Sequence, residues 1–189
     1  MEYDPDKALD AAMHVFWLHG YEATSLLDLL NAMGLSKSSL YQGFGGKKEL
    51  FIRCLDRYCD HMSEVLQGLL QKADSGLGFI AEILLYAAAE ASRSGMRRGC
   101  LLMNTATEFA QKDPDIAARV TRGFERLRGV LTSAIQRGQQ EGDITSDQDA
   151  GVLASYLISS LGGLKAVVKG GADENRVNEI VGVILRALV

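Results

Sequence analysis

The stretch from Thr24 to Lys48 constrains the fold of this chain more than any other. It reads Thr-Ser-Leu-Leu-Asp-Leu-Leu-Asn-Ala-Met-Gly-Leu-Ser-Lys-Ser-Ser-Leu-Tyr-Gln-Gly-Phe-Gly-Gly-Lys-Lys. Two short helices are legible in it, parted by a turn at Gly34. Ser25 can cap the first, with Asp28 in the first turn, where a negative charge is favoured. Leu26, Leu29, Leu30 and Met33 repeat at helical spacing, and Gly34 supplies the residue that ends the helix. Ser36 caps the second helix, whose Leu40 and Phe44 turn inward. Its remaining faces carry Lys37, Ser38, Ser39, Tyr41 and Gln42. A pair of helices around a Gly turn, the second polar outward, is a helix-turn-helix, the arrangement that sets a helix into a DNA groove.

The rest of the chain is helical in pattern as well. The two prolines, Pro5 and Pro114, each follow an Asp, which is N-cap followed by first helical residue. No run of alternating β-branched and aromatic residues stands out. The 189 residues suit one large domain or two small ones, and 47% hydrophobic content is enough for a core. A net charge of −4 does not advertise nucleic acid, and over residues 1–55 five cations stand against seven anions. The case is local: from Ser36 to Arg53 there are four cations against Glu49 alone, a patch suited to phosphate. Three cysteines, Cys54, Cys59 and Cys100, lack metal-ligand spacing, so a reduced, cytoplasmic protein is expected. The acidic N-terminus has no signal-peptide pattern, and no apolar stretch is expected to reach the roughly 20 residues of a membrane span. No membrane, metal or cofactor is therefore expected. Ser-His-Asp logic, a phosphate loop and a dinucleotide fingerprint are all missing from the sequence.

Along the chain, periodicity predicts about nine helices. The first runs from Pro5 to His19 and the next two fill the stretch above. A long fourth helix runs from Gly46-Lys47 to about Lys72, and further helices span about Phe79–Ser92 and Cys100–Gln111, with a turn from Gly95 to Gly99. The seventh covers Pro114 to Glu141. The eighth starts behind a Ser146 cap and ends near Lys169, and the ninth runs from Asp173 to Leu188. Leu153, Tyr156, Leu157, Ser160, Leu161 and Leu164 share a face of the eighth helix; Val177, Ile180, Val181 and Ile184 share one of the ninth. Two such helices joined by a short turn fit a dimer interface, or else they close the core of the single chain. The all-α reading gives a DNA-binding domain at 1–46 and a helical ligand-binding and dimerisation domain at 47–189.

Residues 8–55 resemble the N-terminal domain of the tetracycline-repressor (TetR/AcrR) family of bacterial transcription regulators. The resemblance rests on Ala11-Ala12 and Phe16, then His19-Gly20-Tyr21, then Ala23-Thr24-Ser25. It continues through Gly34-Leu35-Ser36-Lys37, Ser39-Leu40-Tyr41, Phe44, Lys47 and Leu50-Phe51. Less specifically, Gly99-Cys100-Leu101-Leu102 and the segment from Arg137-Gly138 to Gly142 look like one C-terminal subgroup. The resemblance implies a homodimer on a pseudo-palindromic double-stranded operator, with a small-molecule inducer in the C-terminal domain. Carried over by position, Lys37, Ser38 and Gln42 would face base edges, and Thr24, Ser36, Tyr41 and Lys47 would meet phosphates, with Ser39 on the same helix. Two positions depart from the pattern. The residue before Phe44 is usually aromatic or His and here is Gly43. The residue before Lys47 is usually Ser, Asp or Asn and here is Gly46. A flexible Gly43–Gly46 corner, ordered on DNA, is the expectation.

For the inducer, Met62, Leu66, Ile83, Tyr86, Cys100, Met103, Asn104, Thr107, Glu108 and Phe124 lie on helices that should surround a cavity. Apolar walls with a few polar groups suit a hydrophobic or aromatic ligand. Asn104, Thr107 and Glu108 fall on one helical face. Cys100 precedes a helix and follows Arg97 and Arg98, a setting that favours thiolate and so a sensor of oxidants or electrophiles; a small buried side chain is the plainer role. The expected function is a ligand-responsive repressor rather than an enzyme. The alternatives are a helical ligand-binding protein without operator binding and a Cys100-dependent enzyme, which would need a histidine beside the thiol.

Overall fold

The computed structural model describes residues 3–92, 97–109 and 111–189. Nine helices and no strand occur among them. They are α1 (Pro5–His19), α2 (Leu26–Met33), α3 (Lys37–Phe44), α4 (Lys47–Lys72), α5 (Gly76–Ala89), α6 (Leu101–Glu108), α7 (Pro114–Glu141), α8 (Ala150–Lys169) and α9 (Glu174–Arg186). The expected turn at Gly95–Gly99 lies partly outside the described residues.

The ends of the first three helices follow from their caps. Asp4 accepts from the amides of Asp6 and Lys7 at the start of α1. Ser25 and Asp28 form a reciprocal capping box on α2, and Gly34 closes it in the left-handed region with φ 65°. Ser36 accepts from the Ser39 amide on α3.

Later boundaries differ from the sequence expectation. The fifth helix begins at Gly76, not Phe79, because Ser75 caps it by accepting from the Gly78 amide. The eighth begins at Ala150, where Asp149 rather than Ser146 is the cap, taking the amides of Gly151 and Val152. The sixth helix stops at Glu108 and the ninth at Arg186, each shorter than expected.

The helices sort into two compact units. One comprises Met1–His61 with Cys100–Gly123, the other Met62–Gly99 with Phe124–Val189, so α4 and α7 each contribute to both. In the first unit Ala12, Phe16, Leu29, Leu40, Leu50, Phe51 and Leu55 are buried. Phe16 meets Phe51 edge to face at 4.9 Å, and Tyr21 stacks on Phe109 at 4.6 Å. In the second unit α5 packs on α8 and α9, and α8 on α9. Phe79, Ile80, Leu84, Leu131 and Ile135 are buried there.

That core also takes six residues expected at a dimer interface. Leu153, Leu157, Leu164, Val177, Val181 and Ile184 are buried within the single chain. Tyr156, Leu161 and Ile180 pack partly buried against them, and Ser160 is half-buried. Six residues of the stripe thus pack into the chain's own core, and the other four line its edge.

A different face of the same helices is open. Val152 is 59% exposed and Val183 56%, and Ser155, Ser159, Gly163 and Ala166 continue the open face of α8. Helix α8 also overturns the expectation about apolar length. Its 20 residues are long and apolar enough to cross a membrane by length and composition. The side carrying Leu153, Leu157 and Leu164 packs in the core with α5 and α9, and Lys165, on the same helix, pairs with Glu90 at 3.3 Å.

Four carboxylates at helix ends lie below their ordinary range. The Ser25 hydroxyl lowers Asp28, the Lys48 ammonium lowers Asp113, and the Arg176 amide lowers Asp173, each from 3.8. The Gly76 amide lowers Glu141 from 4.5. A carboxylate depressed in the folded state stabilises it above the unfolded pKa, and that contribution is lost as pH falls through the folded value. Thermal unfolding followed by circular dichroism should therefore hold level from pH 7 to about 5 and fall below about pH 4.5.

Candidate nucleic-acid interface

Helix α3 is held from below and open above. Leu40 and Phe44 are fully or almost fully buried, which fixes the rotation of the helix. Lys37, Ser38, Tyr41 and Gln42 are exposed as a result. Ser36 and Ser39 pair through their hydroxyls at 2.9 Å at the helix start. Four candidate base and phosphate contacts thus stand together on one solvent-facing side of an eight-residue helix.

Of the expected phosphate contacts, Thr24 is otherwise engaged, while Lys47 rests against a ring and keeps its charge. Thr24 is 1% exposed, and its hydroxyl donates to the Gly20 carbonyl at 2.6 Å. It braces the turn between α1 and α2 and does not stand among the exposed donors. Lys47 is half-buried, with its ammonium 4.4 Å from the centre of the Tyr21 ring. The neighbouring Lys48 is held by Asp113 at 2.6 Å and Asp115 at 3.3 Å. Of the four cations counted there, Lys48 is therefore spent on carboxylates inside the unit.

The Gly43–Gly46 corner, where flexibility was expected, is bonded at two points. The Gly45 amide donates to the Tyr41 carbonyl at 3.0 Å, and Arg53 Nη1 donates to the Gly43 carbonyl at 3.1 Å. The Arg53 guanidinium also lies 5.5 Å from the centre of the Phe44 ring. Beside it opens a groove of about 530 Å³, whose lining includes Gln42, Gly43, Ile52, Arg53 and Arg119.

The residues expected to hold an inducer fall into both units. Cys100, Met103, Asn104, Thr107 and Glu108 belong to the first, and Met62, Leu66, Ile83, Tyr86 and Phe124 to the second. In the second unit Leu66 and Ile83 are buried core residues, with Met62 packed against them. Phe124 is half-buried, and Tyr86 is 62% exposed. In the first unit Met103 and Asn104 are half-buried. Thr107 turns its hydroxyl back to the carbonyls of Met103 and Asn104.

Glu108 has a different task from the one expected of it. Its Oε2 accepts from the Tyr21 amide at 3.1 Å and its Oε1 from the Glu22 amide at 2.8 Å. The last residue of α6 thus grips the turn that leads into the helix-turn-helix. Nothing local in the sequence signals this contact, which joins residues 86 and 87 positions apart.

At the other end of α6, Cys100 is half-buried at the N-cap position, without a side-chain cap bond. Its sulfur lies 3.5 Å from the Tyr58 hydroxyl. Burial, then the nearby Cys100, pushes the Tyr58 hydroxyl well above its ordinary 10.0. Arg97, which precedes Cys100 in the sequence, is bonded within the second unit. Its guanidinium donates to the carbonyls of Ala91, Val168 and Ala172. Cys54 is buried, which pushes its thiol far up, and its sulfur faces the Leu9 carbonyl at 3.7 Å.

A polar helix anchored on two buried side chains, entered through a Gly turn and braced by a three-helix core, defines a helix-turn-helix protein of the DNA-binding class. Residues 8–54 match the family described as bacterial regulatory proteins, tetR family, and residues 77–181 match the tetracyclin repressor-like C-terminal domain. The chain belongs to the TetR family. Among its relatives, the transcriptional repressor ComR of Escherichia coli is 31% identical over 97% of this chain and 88% of its own length. The HTH-type regulator YezE of Bacillus subtilis is 29% identical over 99% and 97%. Among solved structures, a cysteine-substituted form of the TetR-family regulator CifR, complexed with 26-base-pair operator DNA, is 29% identical. The match covers 100% of this chain and 98% of that one, with a TM-score of 0.86.

Proposed function

We propose that this chain is a homodimeric transcriptional repressor that reads a pseudo-palindromic operator and is released by a small molecule or by modification of Cys100. The exposed row of Lys37, Ser38, Tyr41 and Gln42 on the anchored α3 carries the reading. Two copies of α3 would meet half-sites about 34–36 Å apart. Function divides the chain into a reading domain at 1–46 and a domain for inducer and dimer at 47–189. The open apolar side of α8 and α9, with Val152 and Val183, is the surface offered to a second copy. The wealth of apolar side chains on the C-terminal helices favours a hydrophobic or aromatic inducer.

Release is proposed to travel along α6. This eight-residue helix has Cys100 at its start and Glu108 at its end, about 12 Å apart at 1.5 Å per residue. A group added to the thiol crowds the Tyr58 hydroxyl, and a displaced α6 takes the Glu108 carboxylate with it. The turn at Tyr21 and Glu22 then loses its grip, and the reading helices lose their spacing.

Selection of bound duplexes from a random library tests the reading, with Tyr41→Ala as control. An enriched palindrome that disappears in the control supports it; a folded dimer that enriches nothing counts against it. Two side chains should separate by role. Lys47→Ala is expected to weaken binding on every sequence and to flatten the salt dependence by about one unit of slope. Gln42→Ala should relax preference at one base position, costing about 1–3 kcal/mol of discrimination. Binding isotherms on operator and scrambled duplexes at several salt concentrations check both.

A further inference from the structure

Gly43 leaves a gap on the flank of α3, and Tyr3 fills it. A β-carbon built on Gly43 would overlap the Tyr3 hydroxyl, so the phenol stands where a side chain of residue 43 would begin. Its ring lies 6.3 Å from that of Phe44, tilted by 40°. The segment carrying it is fixed in place. Tyr3 immediately precedes the Asp4 cap of α1, and Arg57 of α4 holds Asp6 at 2.9 Å and Asp10 at 2.6 Å. The phenol is thus brought to the recognition helix from 40 residues away and held there before any DNA arrives.

We propose that Tyr3 is a DNA-contacting residue, its hydroxyl donating to a backbone phosphate beside the C-terminal edge of α3. This rests on the reading of the chain as a DNA-binding protein. In a helix-turn-helix the N-terminal residues of the recognition helix reach base edges, which leaves its C-terminal flank beside the sugar-phosphate backbone. Hydroxyl groups are common phosphate donors there, and they fix register without reading sequence. Tyr3 is only half-buried, and the Arg53 guanidinium lies by the same Phe44 ring and the Gly43 carbonyl. A neutral donor and a cation therefore share this edge. The glycine at 43 makes the arrangement possible, because any larger residue would displace the phenol. The aromatic group absent from position 43 is in this way supplied from the start of the chain.

Tyr3→Phe tests the proposal, because it keeps the ring on Phe44 and removes only the hydroxyl. The probe is a mixed-sequence duplex at low salt, beside any duplex enriched from the library. Affinity for both should fall by about tenfold, the size of a hydrogen bond to a charged acceptor. The salt slope should not change, because a neutral phenol displaces no counterion; this separates Tyr3 from Lys47. Scanning neutral methylphosphonates along the duplex should find one position that weakens the unaltered chain and is silent in Tyr3→Phe. Equal affinity of the two proteins, at an unchanged thermal transition, overturns the role of Tyr3 alone. Failure of the unaltered chain to bind any duplex overturns the DNA-binding reading together with it.

Discussion

Glu108→Gln is expected to lower operator affinity by tenfold or more in a chain that still folds. The two carboxylate oxygens are each used once, on the amides of Tyr21 and Glu22. A glutamine has one carbonyl oxygen, so at most one amide stays bonded, and its NH₂ group is then set against the other N–H. Hydrogen bonds to a charged acceptor contribute about 1.5–3 kcal/mol each, less where water competes. The exchange should therefore cost about 2 kcal/mol of local stability, a near-conservative change with a large effect. It falls on the turn that Thr24 braces from within through Gly20, directly ahead of α2. Hydrogen exchange at the Tyr21 and Glu22 amides reads the grip itself. If those amides exchange no faster in Glu108→Gln, the carboxylate is not holding them and the proposed route of release fails with it.

The second large effect is on stability. Gly76→Val should destabilise the second unit by about 3 kcal/mol or more. A β-carbon on Gly76 overlaps the Ala134 carbonyl and comes to 2.5 Å from the Gly138 nitrogen and 2.9 Å from its Cα. These are backbone atoms of α7, which cannot swing aside as a side chain can, so the two helices would have to part. Parting them also breaks the Gly76 amide's bond to Glu141 Oε2 at 2.8 Å. Glu141 is tied in turn to Arg137 at 2.7 Å, and Arg137 closes the carbonyls of Leu70 and Asp74. One β-carbon thus loosens the end of α4, the start of α5 and the last turns of α7 together. Chemical denaturation of Gly76→Val and Gly76→Ala measures it. A midpoint for Gly76→Ala equal to that of the unaltered chain would show that α5 and α7 do not approach this closely.

These two contacts also mark where the sequence was legible and where it was not. Helices α1 to α3 were readable because their caps are local: Asp4, Ser25 with Asp28, Gly34 and Ser36 act within a few residues of themselves. The family resemblance lies over the same stretch. The start of α5 was misread because Gly76 and Gly78 look like helix breakers. Gly76 is there for the approach of α7, a fact carried by residues some sixty positions away. The stripe on α8 and α9 was readable as apolar, but periodicity does not say that α5 packs on both helices within the chain. Glu108 looked like a ligand contact because its spacing from Asn104 put both on one face. Its partners are backbone amides of α1's exit turn, which leave no signature in a side-chain pattern. Tyr3 was silent for the same reason, although the glycine at 43 was a visible sign that something was missing.

The first unit draws on two separate lengths of chain, Met1–His61 and Cys100–Gly123. A fragment ending within the first turns of α4 would keep the recognition helix but lose Glu108, the Phe109 ring against Tyr21 and the Asp113 partner of Lys48. Reading heads of this kind are therefore not beads on a string. Anyone grafting this specificity onto a related regulator must transplant both lengths as a matched set. By the same logic, inheritance should swap operator preference among such proteins less freely than the short span of α2 and α3 suggests.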